Sequence, residues 1–296
     1  MDKKTITTYQ KAGHIAKEVR TFAKQFVKEG MTLVSIADTI HKKIEELGAA
    51  PAFPVNLSID AIAAHYHPAT DDMTKASGLL KVDIGVHIDG FIADTAVSID
   101  LTPDKRHTKL IATTEKALEQ AMKLLSKNPS LHEIGEEIKK TIVTAGFSPI
   151  INLSGHSIEP YEIHAGITIP NYGNNNMQQL KEGVYAIEPF ATYGEGKIYE
   201  GRTSTIYSIV KNKNTRSPTA RKILEYVWKK NQRLPFSSRE IVEKFGVISQ
   251  FALRELENNG VIQAHAPLVE QSHKAVAQAE HTFIKLDDGS IIVTTA

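Results

Sequence analysis

Asp83 and Asp94 stand on either side of a turn in KVDIGVHIDGFIADTAVSID, a stretch otherwise rich in strand-forming apolar residues. Asp89-Gly90 at its centre is a strong hairpin signal, because a two-residue turn needs positive backbone angles. Side chains on a strand change face at every residue, so an antiparallel pairing closed by an even-length loop puts both carboxylates on one face. Two anions so placed repel each other and are poorly solvated unless something positive lies between them. One or two divalent cations meet that need. More donors lie downstream: INLSGHSIEPYEIHAG places His156 after a glycine, VYAIEPFATYG sets Glu188 in a strand-like run before a proline, and AVAQAEHTFIKL puts Glu280 ahead of an alternating strand. Aspartates on strands are often merely solvent-facing, but four carboxylates interrupting separate apolar segments are harder to explain as accidents than one. With one imidazole they form a hard, oxygen-rich set, suited to two divalent ions that share bridging carboxylates and a water.

The order Asp, Asp, His, Glu, Glu in these contexts resembles the methionine aminopeptidase family of the pita-bread metallopeptidases, specifically its type 2 branch in the short archaeal form. AAHYHP at residues 63–68, DIGVHIDGFIADTA, GHSIEPYEIHAG, AIEPF and AQAEHT carry the resemblance, which covers essentially the whole chain. It implies that Asp83, Asp94, His156, Glu188 and Glu280 hold two ions of cobalt, manganese, iron or zinc. It also implies a metal-dependent aminopeptidase that removes the initiator methionine from nascent proteins with a small second residue. Two ions in such a site would acidify a shared water, polarise the scissile carbonyl and offset the charge of a tetrahedral oxyanion.

By the same resemblance Glu188 takes the proton of the attacking water, His164 donates a hydrogen bond to the oxygen where negative charge develops, and His65 contacts the nitrogen across the scissile bond. Phe53 and Ile163 match positions that line the methionine pocket, although both residue types are equally at home in a core. Ser154 stands where some relatives carry an amide side chain, and His265 stands near an expected aromatic wall. His67 competes with His65, since on a strand the two would share a face; the AAHYHP match favours His65. Parity alone gives His87 no role, and His281 would point away from the metals. Gly155, Gly166 and Gly194 are expected to serve backbone turns.

The elements that must position these residues follow from periodicity. One amphipathic helix is expected from about Thr5 to Glu29, with Ile15, Val19, Phe22 and Phe26 on one face, and a second from Leu33 to Leu47, stopped by Gly48. The segments FPVNLSI and AIAAHYH and the aspartate hairpin follow. The second half repeats the plan: helices at about Thr108–Ser126 and Leu131–Ala145, then strands bearing His156, His164 and Glu188. Such duplication leaves a cleft between halves where ligands converge. The fold class is α+β, and the resemblance implies the pita-bread (creatinase/aminopeptidase-like) pseudo-twofold fold. Residues 211–272 depart from the plan, opening with a polar KNKNTRSPT and continuing as three short helical patterns and a strand, the outline of a winged-helix-like insertion. Residues 1–210 and 273–296 would then form the catalytic domain.

Lys211, Lys213, Arg216, Arg221, Lys222, Lys229, Lys230 and Arg233 invite a nucleic-acid reading of the insertion, but acids are interspersed among them and no direct nucleic-acid contact is expected. The resemblance instead makes the insertion a wall of the substrate pocket. Net charge is +1, with 35 basic and 34 acidic residues, which offers no global field towards a polyanion or an anionic membrane. Cysteine is absent, so disulfides and thiolate sites are excluded. The N-terminus has no apolar signal core, and no stretch approaches the roughly 18 apolar residues of a membrane helix, so a cytoplasmic protein is expected. The resemblance implies a monomer acting on the N-terminal peptides of nascent proteins. Ribosome association is compatible with that activity, and no segment visibly encodes it. Two rivals stay open: a proline-specific peptidase of the same fold, such as a prolidase or aminopeptidase P, and a non-catalytic binding protein, which would be expected to have lost ligands.

Overall fold

The computed structural model describes residues 1–202, 204–211 and 215–296. The chain opens with α1 (Lys3–Phe26) and α2 (Leu33–Glu46), each begun by a side chain that accepts a backbone N–H, Asp2 from Thr5 and Thr32 from Ser35. Ala12, Ile15, Ala16, Val19 and Ala23 recur on the buried face of α1. The helix stops at Phe26, short of the expected Glu29, because Val27 is extended and the chain turns at Gly30 to donate its N–H to Ala76. Short strands β1 (Ala50–Pro51), β2 (Asn56–Ile59) and β3 (Ile62–Ala64) lead into the hairpin of β4 (Leu79–Ile88) and β5 (Phe91–Asp100). Its turn is Asp89-Gly90, with φ of 50° and 86°, as the two-residue loop requires.

The second half repeats this plan. α3 (Thr108–Leu124) passes into a 3₁₀ turn at Leu125, and α4 (Leu131–Thr144) starts in a capping box of Ser130 and Glu133. Strands β6 (Ser148–Pro149), β7 (Ser154–Ile158), β8 (Thr168–Pro170), β9 (Gly183–Ile187), β10 (Phe190–Thr192) and β11 (Ile198–Glu200) follow.

The next region comprises β12 (Ile206–Ile209), α5 (Pro218–Asn231), β13 (Phe236–Ser237), α6 (Ser238–Phe245), α7 (Ser249–Asn258) and β14 (Ile262–His265). β12 pairs with both β13 and β14, and the three helices bury Ile223, Val227, Ile241, Leu253 and Leu256 in a core of their own. Arg239 of α6 reaches Asp38 of α2 at 2.6 Å, and Thr205 donates to the His67 carbonyl at 2.5 Å, so this region is pinned to the rest of the chain. Of the basic residues named above, Lys230 pairs with Glu240 and Arg233 with Glu162; Lys213 lies outside the described residues.

The chain closes with β15 (Leu268–Glu270), β16 (Val276–Gln278), β17 (Glu280–Lys285) and β18 (Ile291–Val293). The main sheet runs β1-β4-β5-β17-β9-β7-β8, with β2 also on β4 and β18 also on β17. β17, from the end of the chain, is thus inserted between the first-half hairpin and the second-half strands. α1 and α2 cover the hairpin through Val19, Leu33, Ile36 and Ile40, and α3 and α4 cover the other half through Leu110, Leu118, Ile134 and Ile138. Each of these fully buried aliphatic side chains contributes about 1.5–3 kcal/mol, which fixes the two halves on one continuous sheet.

Candidate metal centre

Pairing of Asp83 with Ala96 and of Gly85 with Asp94 sets both aspartates on one face of the hairpin. β17 then brings Glu280 opposite Ala96, and β7 brings His156 opposite Ala186 of β9, next to the end of which Glu188 stands. His156 Nε2 lies 3.7 Å from Asp94 Oδ2 and 3.8 Å from Glu188 Oε1. Donor atoms of Asp94, His156 and Glu280 all lie within 4.8 Å of one another. Asp83, Asp94, His156 and Glu280 are each at least nine-tenths buried. One carboxylate oxygen of each of Asp83, Asp94 and Glu280 finds no hydrogen-bond partner among the described residues. Buried oxygens are rarely left so, and unpartnered oxygens converging beside an imidazole fit one or more divalent cations.

The electrostatics agree. Burial, reinforced by the neighbouring carboxylates, holds Asp94, Glu188 and Glu280 well above the usual carboxylate range, and burial pushes Asp83 up to about 7. Burial and His164 together depress His156 far below the usual imidazole range, leaving its ring neutral and able to ligate.

The remaining histidines separate by position. The His164 ring stands edge-on to that of His156 at 4.5 Å, on the loop between β7 and β8 and not on the expected strand. His65 lies just past β3 with a φ of 62°, its N–H donated to the Asn56 side chain. That left-handed residue ends the strand, so His65 and His67 do not share a face. His65 lines the cleft, whereas His67 is buried away from it, bonded to the Val55 carbonyl and stacked on His41. Burial and neighbouring imidazoles lower His65 to about 3 and His164 to about 4, so both rings are neutral at physiological pH. His87 accepts the Gly90 N–H and helps close the hairpin, and His281 faces Arg20 and Thr295 behind the sheet. Phe53 and Ile163 both line the cleft while packing with Ile92, Ile158 and Ala186. Ser154 lines it as well, and His265 sets its ring edge-on to His65 at 6.1 Å with Nε2 2.8 Å from the Ser208 hydroxyl.

Three contributors were not apparent from the residue pattern. Gln278, almost fully buried, donates through its amide towards Asp83 at 3.3 Å and Glu188 at 3.4 Å, bridging carboxylates from the two halves. Its place two residues before Glu280 in AQAEHT was the available signal. Asn56 fixes the His65 backbone. Gly85 sits across from Asp94, where a Cβ would come within 2.3 Å of the Phe53 ring, so glycine is needed for that ring to lie on the hairpin. Gly155 is likewise required, a Cβ there falling 2.2 Å from the Ala186 carbonyl oxygen beside His156.

These groups open into a cleft of about 1140 Å³ that continues from the carboxylates to the α5 and β12/β14 surfaces. A buried acidic cluster with one imidazole, at the seam of two similar half-sheets, defines a metal-dependent hydrolase of the pita-bread fold. Residues 7–227 match Metallopeptidase family M24, and the chain belongs to that family. It is 43% identical over 290 residues to a methionine aminopeptidase of Pyrococcus abyssi (strain GE5 / Orsay), covering 96% of this chain and 97% of that one. The fold is shared with a thermophilic Arx1 (TM-score 0.84, 18% identity, 99% of this chain and 91% of that one). It is also shared with the methionine aminopeptidase of Thermotoga maritima (TM-score 0.71, 18% identity, 100% and 98%). No helix among the described residues is long and apolar enough to cross a membrane.

Proposed function

We propose that this chain is a methionyl aminopeptidase that releases the N-terminal methionine of nascent proteins whose second residue is small. The observation that carries the reading is the convergence of Asp83, Asp94, His156, Glu188 and Glu280 with unpartnered buried oxygens at the closed end of an apolar-walled cleft. In this reading these five residues hold two divalent ions, of manganese, cobalt, iron or zinc. When bound, the ions supply an activated water and polarise the scissile carbonyl. Glu188, a carboxylate when it helps to hold the metal, would accept a proton from the attacking water. His164 and His65 are neutral, so each carries one ring N–H: His164 gives its proton as a hydrogen bond to the developing oxyanion, and His65 contacts the scissile nitrogen. Phe53 and Ile163 hold the methionine side chain in the apolar wall. The division into a catalytic domain and a winged-helix-like insertion belongs to the same reading, with the insertion bounded at 206–265 in place of the expected 211–272, because β12 pairs with β13 and β14 whereas β15 pairs with β11 and β3; a monomeric state and a cytoplasmic site of action belong to it too.

The test is release of methionine from Met-Ala-Ser, beside Met-Asp-Ser and an Xaa-Pro peptide, by metal-free protein resupplied with each of the four metals in turn. Cleavage of the first peptide alone is expected, and His164→Ala should lower kcat by about 10²–10³-fold. Cleavage of the proline peptide alone would make the chain a proline-specific peptidase, and no cleavage with any metal would sink the enzymatic reading.

A further inference from the structure

Asp94 and Glu280 reach the metal centre from β5 and β17, and these two strands pair only at Glu280–Ala96 and His281–Thr95. Beyond that point β17 changes partner: Phe283–Lys285 pair with β9 on one side and with β18 on the other. The change falls beside Asp94. Thr282 commits its own backbone to the C-terminal segment, donating its N–H to the Thr295 hydroxyl at 3.0 Å and accepting the Thr294 N–H at 2.9 Å. On this side Asp94 is left without a strand partner, and the Thr282 hydroxyl takes that place, accepting the Asp94 N–H and donating to the Asp94 carbonyl, both at 2.8 Å. One hydroxyl making both bonds is a weaker clamp than a strand ladder, so the spacing of the two ligands is fixed from another direction.

That direction is the far side of the sheet. Thr95 and His281 directly follow the two ligands and so point to the opposite face. There Arg20 of α1 donates to the Thr95 hydroxyl at 2.5 Å and to His281 Nδ1 at 3.0 Å. The Thr95 hydroxyl in turn donates to the Glu280 carbonyl at 2.9 Å, and His281 Nδ1 lies 2.9 Å from the Thr295 hydroxyl. Thr95, Thr282 and Thr295 are fully inaccessible, so water does not replace a lost partner. The helix is shaped to bring the guanidinium there. Gly13 precedes Arg20 by seven residues, about two turns, and a Cβ at Gly13 would fall 2.3 Å from the Thr294 carbonyl oxygen. Lys24, one turn beyond Arg20, reaches Glu115 on the surface at 3.8 Å, whereas Arg20 turns to two neutral acceptors on strands of the site.

We propose that Arg20 is a positioning residue of the metal centre: from behind the sheet it holds β5 and β17 at the spacing that lets Asp94 and Glu280 share a divalent cation. It touches neither substrate nor ion and acts through Thr95 and His281. Without it, two buried acceptors lose their donor and the like charges of Asp94 and Glu280 press the strands apart. This rests on the reading of the acidic cluster as a metal site, and on the aminopeptidase reading only for the rate.

The test uses the full-length protein, with manganese affinity measured by titration calorimetry and kcat and KM for Met-Ala-Ser measured at saturating manganese. Arg20→Ala should weaken manganese binding by about 10–100-fold, as for other groups that orient ligands from outside the coordination sphere, and lower kcat with KM near the parent value. Arg20→Lys, which keeps donors at similar reach, should recover most of both. Thr282→Val, which removes the hydroxyl from the Asp94 backbone, should weaken binding in the same direction, and Lys24→Ala should leave affinity and rate unchanged. Arg20→Gln, too short to reach both acceptors, should repeat the loss and replaces the alanine variant if that one does not fold. Parent manganese affinity and kcat in the alanine or glutamine variant, whatever its Tm, overturns the proposal, as does a lysine variant no better than they are. Binding that weakens in these variants without cleavage of any peptide by the parent would refute the aminopeptidase reading and uphold this one. A parent that binds none of manganese, cobalt, iron or zinc would overturn both.

Discussion

Glu270 is as inaccessible to solvent as Asp94 and Glu280 of the metal centre, and their surroundings drive them in opposite directions. Glu270 is fully inaccessible, and its two oxygens accept from the N–H of Glu195 at 2.8 Å, the N–H and hydroxyl of Ser272 at 2.8 and 2.7 Å, and the N–H of Lys274 at 3.0 Å. Burial pushes its pKa up, but the hydrogen bonds from Lys274, Ser272 and Glu195 outweigh it, and the net shift is downward. Asp94 and Glu280 have burial and like charges and too few donors, so their pKa values rise. A buried carboxylate with a full set of donors is architecture, here the tie between β15 and the loop after β10. Buried carboxylates starved of donors and crowded together hold a place for a cation.

The largest consequence is at Asp94. Asp94→Asn should reduce methionine release to background and remove the rise in Tm that manganese produces. Because the amide ends a buried repulsion, the metal-free variant should melt higher than the metal-free parent, by roughly 2–6 °C in calorimetry. A lower Tm would break the contrast, since it would mean that the acidic cluster is stable without a cation. Gln278→Ala should weaken metal binding by about 10–100-fold in titration calorimetry, as expected for a group that orients ligating carboxylates. Unchanged affinity would show that the hairpin and β9 position Asp83 and Glu188 without it. Glu270→Ala should lower Tm by roughly 4–8 °C, from about 2 kcal/mol of lost charged hydrogen bonds, while kcat/KM of the metal-loaded enzyme at 25 °C stays at the parent value.

The smallest effect is the sign of the pH dependence. Glu270 has a depressed folded-state pKa, so its contribution is present above the ordinary glutamate pKa and is lost as pH falls through the lower folded value. The site carboxylates have raised pKa values, so the metal-free folded state binds protons that the unfolded chain releases, and it loses stability as pH rises through those values. Protons and metal therefore compete, and the drop in Tm caused by a chelator should grow from pH 5.5 to pH 7.5. A drop independent of pH would mean that these carboxylates are already ionised at pH 5.5.

Much of the site was legible because its signals are local. The Asp89-Gly90 turn and strict strand alternation determined that Asp83 and Asp94 share a face, and the interrupted apolar runs around His156, Glu188 and Glu280 marked where charge is out of place. Helix ends were less legible: α1 ends at Phe26 because Gly30 must reach Ala76, a contact some 46 residues away in sequence. Local pattern also misjudged His164 and His65, since a strand-like composition cannot reveal that one lies on a loop and that the other reverses the chain with a positive φ.

The sequence by itself determined the hairpin, the duplicated helix-helix-strand plan and the list of residues able to hold a metal. Only the tertiary structure decided that β17 slots between β5 and β9, bringing Glu280 to Asp94 across nearly two hundred residues, and that Gln278 spans Asp83 and Glu188. It alone also separated Glu270 from the other buried acids. The physical reason is that alternation and turn chemistry are encoded within a few residues, whereas the balance between desolvation and donors depends on which distant segments pack around each carboxylate.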